Sequence, residues 1–203
     1  MSKHIKAVQN LYPSVHPTSP LFMDLLYARD PNQARDLFYQ ERNRVLLSLV
    51  DKRKFKRVLE LAGATGLLAE MYLNLHEETQ FYLHTDYSIV ACKLALANLR
   101  RYPQSYVKLI DVCTDLNLLP WNYDLVISTS LEHFPKGTDY DILKRMKTGT
   151  HVLWSLCKVA ARIPTHLHPY ESVEYVKARF KDWLEIVNIG EYRTVVLLHG
   201  IRL

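Results

Sequence analysis

Glycine is scarce in this chain. Average usage near 7% would give about fourteen in a protein this long; there are six in 203 residues, and all of them follow residue 62. Each therefore marks a backbone requirement. Cysteine is scarcer, with only Cys92, Cys113 and Cys157. An odd number with no pair two residues apart excludes a disulfide framework and a cysteine-rich zinc module; three buried thiols acting as small hydrophobes are expected. Apolar runs fall far short of the roughly 18 residues that cross a bilayer. The opening Met1-Ser2-Lys3-His4-Ile5-Lys6 leads into no signal-peptide core, which points to a cytoplasmic protein without a membrane partner. Internal repeats and low-complexity tracts are also missing.

The 203 residues suit one domain with a small attachment. Hydrophobic residues at 48% and charged residues at 23% are ordinary for a soluble protein that fills a core. A net charge of +5 tolerates an acidic partner but lacks the dense basic stripe of a dedicated nucleic-acid binder. The run Lys52-Arg53-Lys54, with Lys56 and Arg57, precedes a strand and reads as a solvated loop.

The first fifty residues hold no glycine and carry Pro13, Pro17, Pro20 and Pro31. A helical pattern follows from about Asn32 to Val50, with Leu37, Phe38, Val45, Leu46 and Leu49 at helical spacing. Residues 1–50 are taken as a helical cap of one or two helices, and 51–203 as the main domain. From Arg57 short apolar runs alternate with helical segments, the rhythm of a parallel sheet. Strands are expected at Arg57–Leu61, Phe81–Thr85, Tyr106–Ile110, Asp124–Thr129 and His151–Leu156. Helices are expected from Leu67 to about Leu75, after Ser88, from Tyr140 to Met146 and from Ser172 to Phe180. Leu184–Ile189 and Thr194–Ile201 have no crossover helix between them and should pair antiparallel.

The chemistry is concentrated in Val58-Leu59-Glu60-Leu61-Ala62-Gly63-Ala64-Thr65-Gly66, a strand running into a small-residue turn that opens a helix. Such a turn lets a ligand approach the backbone at a helix N-terminus. Twenty residues past Gly66 stands Asp86, an acid placed to accept hydrogen bonds from ribose hydroxyls. The dinucleotide pattern G-x-G-x-x-G fails here, because starting it at Ala62 puts the bulky Leu67 at its last glycine.

The segment resembles instead the first motif of the class I S-adenosylmethionine-dependent methyltransferases, an acid, a spacer and G-x-G-x-G: Glu60 matches the acid, Thr65 the small polar residue and Gly66 the last glycine. Asp86-Tyr87 looks like the ribose-binding position and Asp111-Val112 like the adenine-contacting pair. Pro120-Trp121-Asn122-Tyr123-Asp124 resembles the approach to the fourth strand, which ends at Ser128, and Asp124 itself is read as structural. Leu131-Glu132-His133-Phe134 is similar to a segment that faces the sulfonium in small-molecule members. Lys147-Thr148-Gly149-Thr150 resembles the turn before the fifth strand. His166 and His168, ahead of Arg179-Phe180, resemble a histidine loop found in a subset of small members. The likeness runs from about Arg57 to Leu203.

It implies a Rossmann-like methyltransferase fold, α/β, with a seven-stranded, mostly parallel sheet, a C-terminal antiparallel hairpin and an N-terminal helical cap. It implies an enzyme moving a methyl group from S-adenosylmethionine to an oxygen or nitrogen of a small molecule. The donor-binding residues would be Glu60, Ala62, Gly63, Gly66, Asp86, Tyr87, Asp111, Val112 and Ser128, and the catalytic candidates His133, His166 and His168. Histidine suits removal of an acceptor proton near neutral pH. Two alternating histidines without a third ligand do not make a metal site, and none is expected. Tyr12, Tyr27 and Tyr39 read as packing residues, one of which touches donor or acceptor if the cap folds over the pocket.

The departures are Ala62 and Ala64, which stand where the family has glycine and disfavour φ > 0. Gly63, between them, is free to carry an unusual angle in their place. The alternatives are an RNA-directed methyltransferase using the +5 charge, or a catalytically impaired module that binds S-adenosylmethionine or a partner. The Asn/Asp-Pro-Pro-Tyr amino-methyltransferase signature is absent at Ser128-Thr129-Ser130-Leu131, and no insertion is large enough for target recognition, which argues against DNA.

Overall fold

Short runs rich in valine, isoleucine and leucine, each closed by a turn, make the strands of the chain, followed here in a computed structural model. It describes residues 3–16, 19–32, 35–158 and 166–203, with the side chains of 3–6 set aside. The strands are β1 (Arg57–Leu61), β2 (Phe81–Asp86), β3 (Ser105–Leu109), β4 (Leu125–Ser128), β5 (His151–Cys157), β6 (Leu184–Tyr192) and β7 (Val195–Arg202). They form one sheet in the order β3-β2-β1-β4-β5-β7-β6. The first five strands pair parallel, whereas β7 runs antiparallel to both β5 and β6. The expected seven-stranded sheet with its terminal hairpin is therefore present. The loop expected around Ile163 to Pro169 lies outside the described residues over 163–165.

Parallel neighbours need crossovers. Helix α4 (Leu67–Leu75) joins β1 to β2, α5 (Ile89–Leu99) joins β2 to β3, α6 (Thr138–Arg145) joins β4 to β5, and α7 (Val173–Phe180) precedes β6. Ser88 caps α5 by accepting the Ala91 N–H, and Ser172 caps α7 by accepting that of Tyr175. Successive strand residues face opposite layers. Leu59, Val126 and Trp154 point into a core closed by α6 and α7, while Val58, Leu125 and Leu153 point to α3 (Leu37–Ser48) and α4. Burial on both faces explains why the β4 run is continuously apolar.

The N-terminal stretch holds α1 (Lys3–Leu11), α2 (Pro20–Arg29) and α3, three helices where one or two were expected. Ser19 caps α2 and Pro20 opens it, so proline starts this helix rather than interrupting one. In α3 the buried residues are Arg42, Asn43, Leu46 and Leu47, while Leu37 and Val45 of the expected apolar stripe are exposed. The difference arises because the first half of α3 borders the cavity at the carboxyl ends of the strands, where Arg42 and Asn43 turn inward, while Leu46 and Leu47 pack on the sheet face.

Asp124 Oδ2 accepts the Lys56 and Arg57 N–H groups, the structural role read from the sequence. Lys52, Arg53, Lys54 and Lys56 are exposed, at the amino end of β1. Of the cysteines, Cys92 and Cys157 are buried but Cys113 is exposed, because it follows the edge strand β3 in a turn whose N–H bonds Asp111.

The Arg179 side chain is nearly buried. Its guanidinium forks onto Asp139, Nε to Oδ2 at 2.6 Å and Nη2 to Oδ1 at 2.7 Å, and Tyr170 also donates to Asp139 at 3.0 Å. This buried pair ties α6 to α7 and to the chain leaving β5. Breaking such a pair from one side leaves an uncompensated charge, so Asp139→Asn should lower stability by about 3–5 kcal/mol in denaturant unfolding. A loss below about 1 kcal/mol would mean that the clamp is not structural.

Candidate active site

The chain runs from β1 outward to β3, then returns to place β4 on the other side of β1. Ligands in open α/β sheets bind in the crevice that such a reversal leaves at the carboxyl ends. Here that crevice is shaped by the turn between β1 and α4. The left-handed angles fall on Ala62 (φ 53°) and Ala64 (φ 54°) themselves, together with Gly66 (φ 84°). Gly63 does not carry one, contrary to the possibility raised by the sequence.

Gly63 is needed for a different reason. A Cβ there would lie 2.4 Å from His84 Cε1 and 2.5 Å from Glu60 Cδ. Glu60 and His84 are register partners on β1 and β2, fully enclosed beneath the turn. His84 Nδ1 lies 2.7 Å from Glu60 Oε2, and its Nε2 lies 3.0 Å from the Ala64 carbonyl oxygen. Tyr82 also donates to Glu60. Both ring nitrogens face acceptors, which suits the doubly protonated imidazolium. Burial opposes that charge, but the Glu60 carboxylate, through charge and hydrogen bond, holds the ring above its ordinary value.

Asp86 secures the turn from the other side. Its Oδ2 accepts the Ala64 N–H and its Oδ1 the Ser88 N–H, both at 2.9 Å. Burial pushes this carboxyl up, against those N–H groups and the nearby His84 charge. Asp24 of α2 reaches the same corner, accepting from Ser88 Oγ at 2.5 Å and from the Val90 N–H. Tyr27 is buried beside it, its phenol raised by burial and by Asp86. The corner beside Asp86 is thus roofed by α2.

A cavity of roughly 1120 Å³, counting its mouth, opens between this turn, α2, α3 and the carboxyl ends of β4 and β5. Of the residues expected from the sequence, Glu60, Gly63, His133 and His166 line it, and Tyr27 and Tyr39 of the cap join them. Ala62, Gly66, Asp86, Tyr87, Asp111, Val112 and Ser128 lie outside its wall. Ala62 is buried in the turn; a Cβ on Gly66, at the start of α4, would lie 3.4 Å from Ala95; Val112 and Ser128 are buried in the fold. Asp111 receives the Cys113 N–H and is bonded to its own loop. His168 packs against Tyr170, 5.0 Å between ring centres, and burial lowers it, so it faces the α7 side rather than the cavity. Tyr12 is exposed.

Sequence reasoning missed Arg42 and Asn43, and named Glu132 only within the Leu131-to-Phe134 segment, not as a site residue. Arg42 is buried against the cavity, its Nε and Nη2 donating to Asn43 Oδ1 and its charge facing Glu132 and Glu60. Burial lowers its pKa, and Tyr39 and the two carboxylates oppose that. Glu132 Oε1 lies 3.9 Å from both His133 Nε2 and His166 Nε2, and burial raises its carboxyl against the pull of His166. The only sequence signal for Arg42 is that it falls one helical turn before Leu46. His84 gave none.

The fold is shared with known methyltransferases. The N-methyltransferase NodS from Bradyrhizobium japonicum WM9, solved with S-adenosyl-L-homocysteine, superposes over 99% of this chain and 99% of its own at TM-score 0.69 and 15% identity. An O-methyltransferase family protein from Burkholderia thailandensis covers 98% of this chain and 71% of its own at TM-score 0.72 and 16% identity. The DhpI–SAH complex covers 91% and 95% at TM-score 0.70 and 14% identity. No family model and no curated protein matches the sequence. At these identities the likeness is one of fold, and it is the Rossmann-like methyltransferase fold expected from the motifs. Among the described residues no helix is long and apolar enough to cross a membrane.

Left-handed backbone costs a residue with a Cβ about 1–2 kcal/mol, and glycine's extra chain entropy returns roughly 0.5–1 kcal/mol of that. Ala62→Gly or Ala64→Gly should therefore raise stability by about 0.5–1 kcal/mol, read as a melting temperature higher by roughly 2 °C. A lower melting temperature would show that the alanine methyls pack better than their angles cost.

The His84–Glu60 pair has a pH signature. A histidine held above its unfolded value of about 6.5 contributes stability that is fully present below that value and lost as pH climbs through the raised one. Wild-type melting temperature should decline across that window, and His84→Gln should flatten the decline. Parallel curves would assign the effect to another group.

Proposed function

We propose that this chain transfers the methyl group of S-adenosylmethionine to an oxygen or nitrogen of a small-molecule acceptor, with 51–203 binding the donor and 1–50 closing over it. The observation that carries the reading is the cavity at the carboxyl ends of β1 and β4, floored by the Glu60-to-Gly66 turn, in a fold that known methyltransferases share.

The residues present fit the donor's amino-acid half. Arg42 offers a positive charge to a carboxylate, and the Gly63–Ala64 backbone lies at the cavity wall ahead of α4. Fitting the sugar half requires α2 to give way, because Asp86 is covered and both its oxygens already accept N–H groups. The donor, when bound, supplies a methyl group already activated by a positive sulfur. What remains for the chain is to align the acceptor and hold its proton. His133 Nε2, at the cavity wall and partly exposed, is the group for that proton, with His166 packed edge-on at 4.7 Å between ring centres.

The RNA-directed alternative is less favoured, since the Lys52-to-Arg57 run stands at the amino end of β1, opposite the cavity. The impaired-binder alternative loses its main support, because both alanines hold the left-handed angles that glycine would take.

Calorimetry with S-adenosylmethionine and S-adenosylhomocysteine, then methyl transfer to a pooled metabolite extract, tests the reading. Arg42→Gln should weaken S-adenosylhomocysteine binding at least tenfold, as a buried charged partner of the donor carboxylate is lost. Wild-type protein that binds neither compound would overturn the assignment.

A further inference from the structure

Three segments far apart in the chain bring three different ligand types to one wall of the cavity. Glu132 comes from the 3-10 turn Leu131–His133 after β4, Cys157 is the last residue of β5, and His166 lies between β5 and α7. One ligand atom of each lies within 4.8 Å of the other two, the only such trio among the described residues. All three line the cavity.

The backbone holds them there. The Glu132 carbonyl accepts the N–H groups of Leu167 and His168 at 2.7 and 3.1 Å, and the Cys157 carbonyl accepts that of Tyr170 at 2.9 Å. A second observation points to a ligand: Glu132 Oε2 is buried with no hydrogen-bond partner among the described residues, on a side chain only 7% exposed. A buried carboxylate oxygen without a partner is costly unless something binds it.

We propose that Glu132, Cys157 and His166 form a three-ligand site for a divalent, thiophilic cation of the zinc type, with the fourth coordination position facing the cavity. Thiolate, imidazole and carboxylate together select zinc over magnesium or calcium, which take oxygen ligands. Zinc bonds of 2.0–2.3 Å in a tetrahedron put ligand atoms about 3.3–3.8 Å apart, so the trio has to contract by roughly 1 Å. One thiolate and one carboxylate neutralise the cation, which keeps the nearby Arg42 charge from excluding it. The sequence led to no metal site because the only nearby second ligand for His166 was His168, two residues on, whereas Glu132 and Cys157 stand 34 and 9 residues earlier. The site shares the cavity, Glu132 and His166 with the proposed methyl-transfer site, but its test uses no methyl donor, so either reading can fail without the other.

Full-length protein stripped with a chelator and titrated with Co²⁺ should take up one equivalent and develop a thiolate-to-cobalt charge-transfer band. Zn²⁺, followed by calorimetry, should bind at the same stoichiometry and displace the cobalt. Cys157→Ser should abolish the band and weaken Zn²⁺ binding about a hundredfold or more. Glu132→Gln and His166→Gln should each weaken it by at least about tenfold. Cys113→Ser, an exposed thiol away from the cavity, should leave band and affinity unchanged. Far-UV circular dichroism confirms folding, and His166→Gln decides the matter should Cys157→Ser not fold. Wild-type protein that takes up no stoichiometric Zn²⁺ overturns the proposal. So does a charge-transfer band that survives Cys157→Ser, or Zn²⁺ affinity unchanged in His166→Gln.

Discussion

A charged pair sealed under a tight turn governs this end of the molecule. Glu60 and His84 sit side by side on adjacent parallel strands with almost no exposure, and neither charge is tolerable there alone. Once paired, they fix what lies above. The imidazole takes the Ala64 carbonyl oxygen as its second acceptor, which turns that peptide down toward the sheet. The ring also occupies the volume next to residue 63, where any side chain would collide with it. The two flanking alanines then adopt left-handed angles that their methyl groups disfavour. The turn is therefore shaped from beneath, by the strand layer, and not by glycine's freedom.

The same corner explains the N-terminal helices. Asp24 lies at the N-terminus of α5, where the helix dipole favours an anion and the Ser88 hydroxyl and Val90 N–H donate to it. Arg35 reaches Glu70 on α4, and Tyr192 and Arg193 of the terminal hairpin hold Glu41 of α3. These ties carry α2 and α3 over the carboxyl ends of the strands, so the crevice becomes a roofed cavity. Residues that would touch a ligand in an open sheet, Asp86 foremost, spend their hydrogen bonds on the protein in this arrangement.

The sheet was legible in the sequence because its signals are local. Apolar runs bounded by turns, Ser88 and Ser172 as caps, and the missing crossover before the last strand all report on neighbouring residues. The β1–α4 turn was legible for the same reason. The cavity wall was not, because it depends on which distant segments meet. His84 reads as a polar residue in a buried strand until β1 is placed beside β2, and Arg42 reads as the polar side of a helix until α3 is laid across the sheet. Asp86 and Asp111 illustrate the converse: their positions along the chain matched the motif, yet their carboxylates turned to backbone N–H groups nearby.

The cavity's charges are divided along its length. Glu60 at the turn already has a cation in His84, so its carboxylate is neutralised from below. Glu132 at the far wall has Arg42 and His166 near it, but one of its oxygens has no hydrogen-bond partner among the described residues. An unsatisfied buried oxygen is more costly than a satisfied ion pair, because the low local dielectric magnifies whatever is missing. The turn end of the cavity is thus electrostatically complete without a ligand, while the β5 end is not. The β5 end therefore has more to gain from a bound charge, and the chain places a thiol and an imidazole there, close to the same carboxylate.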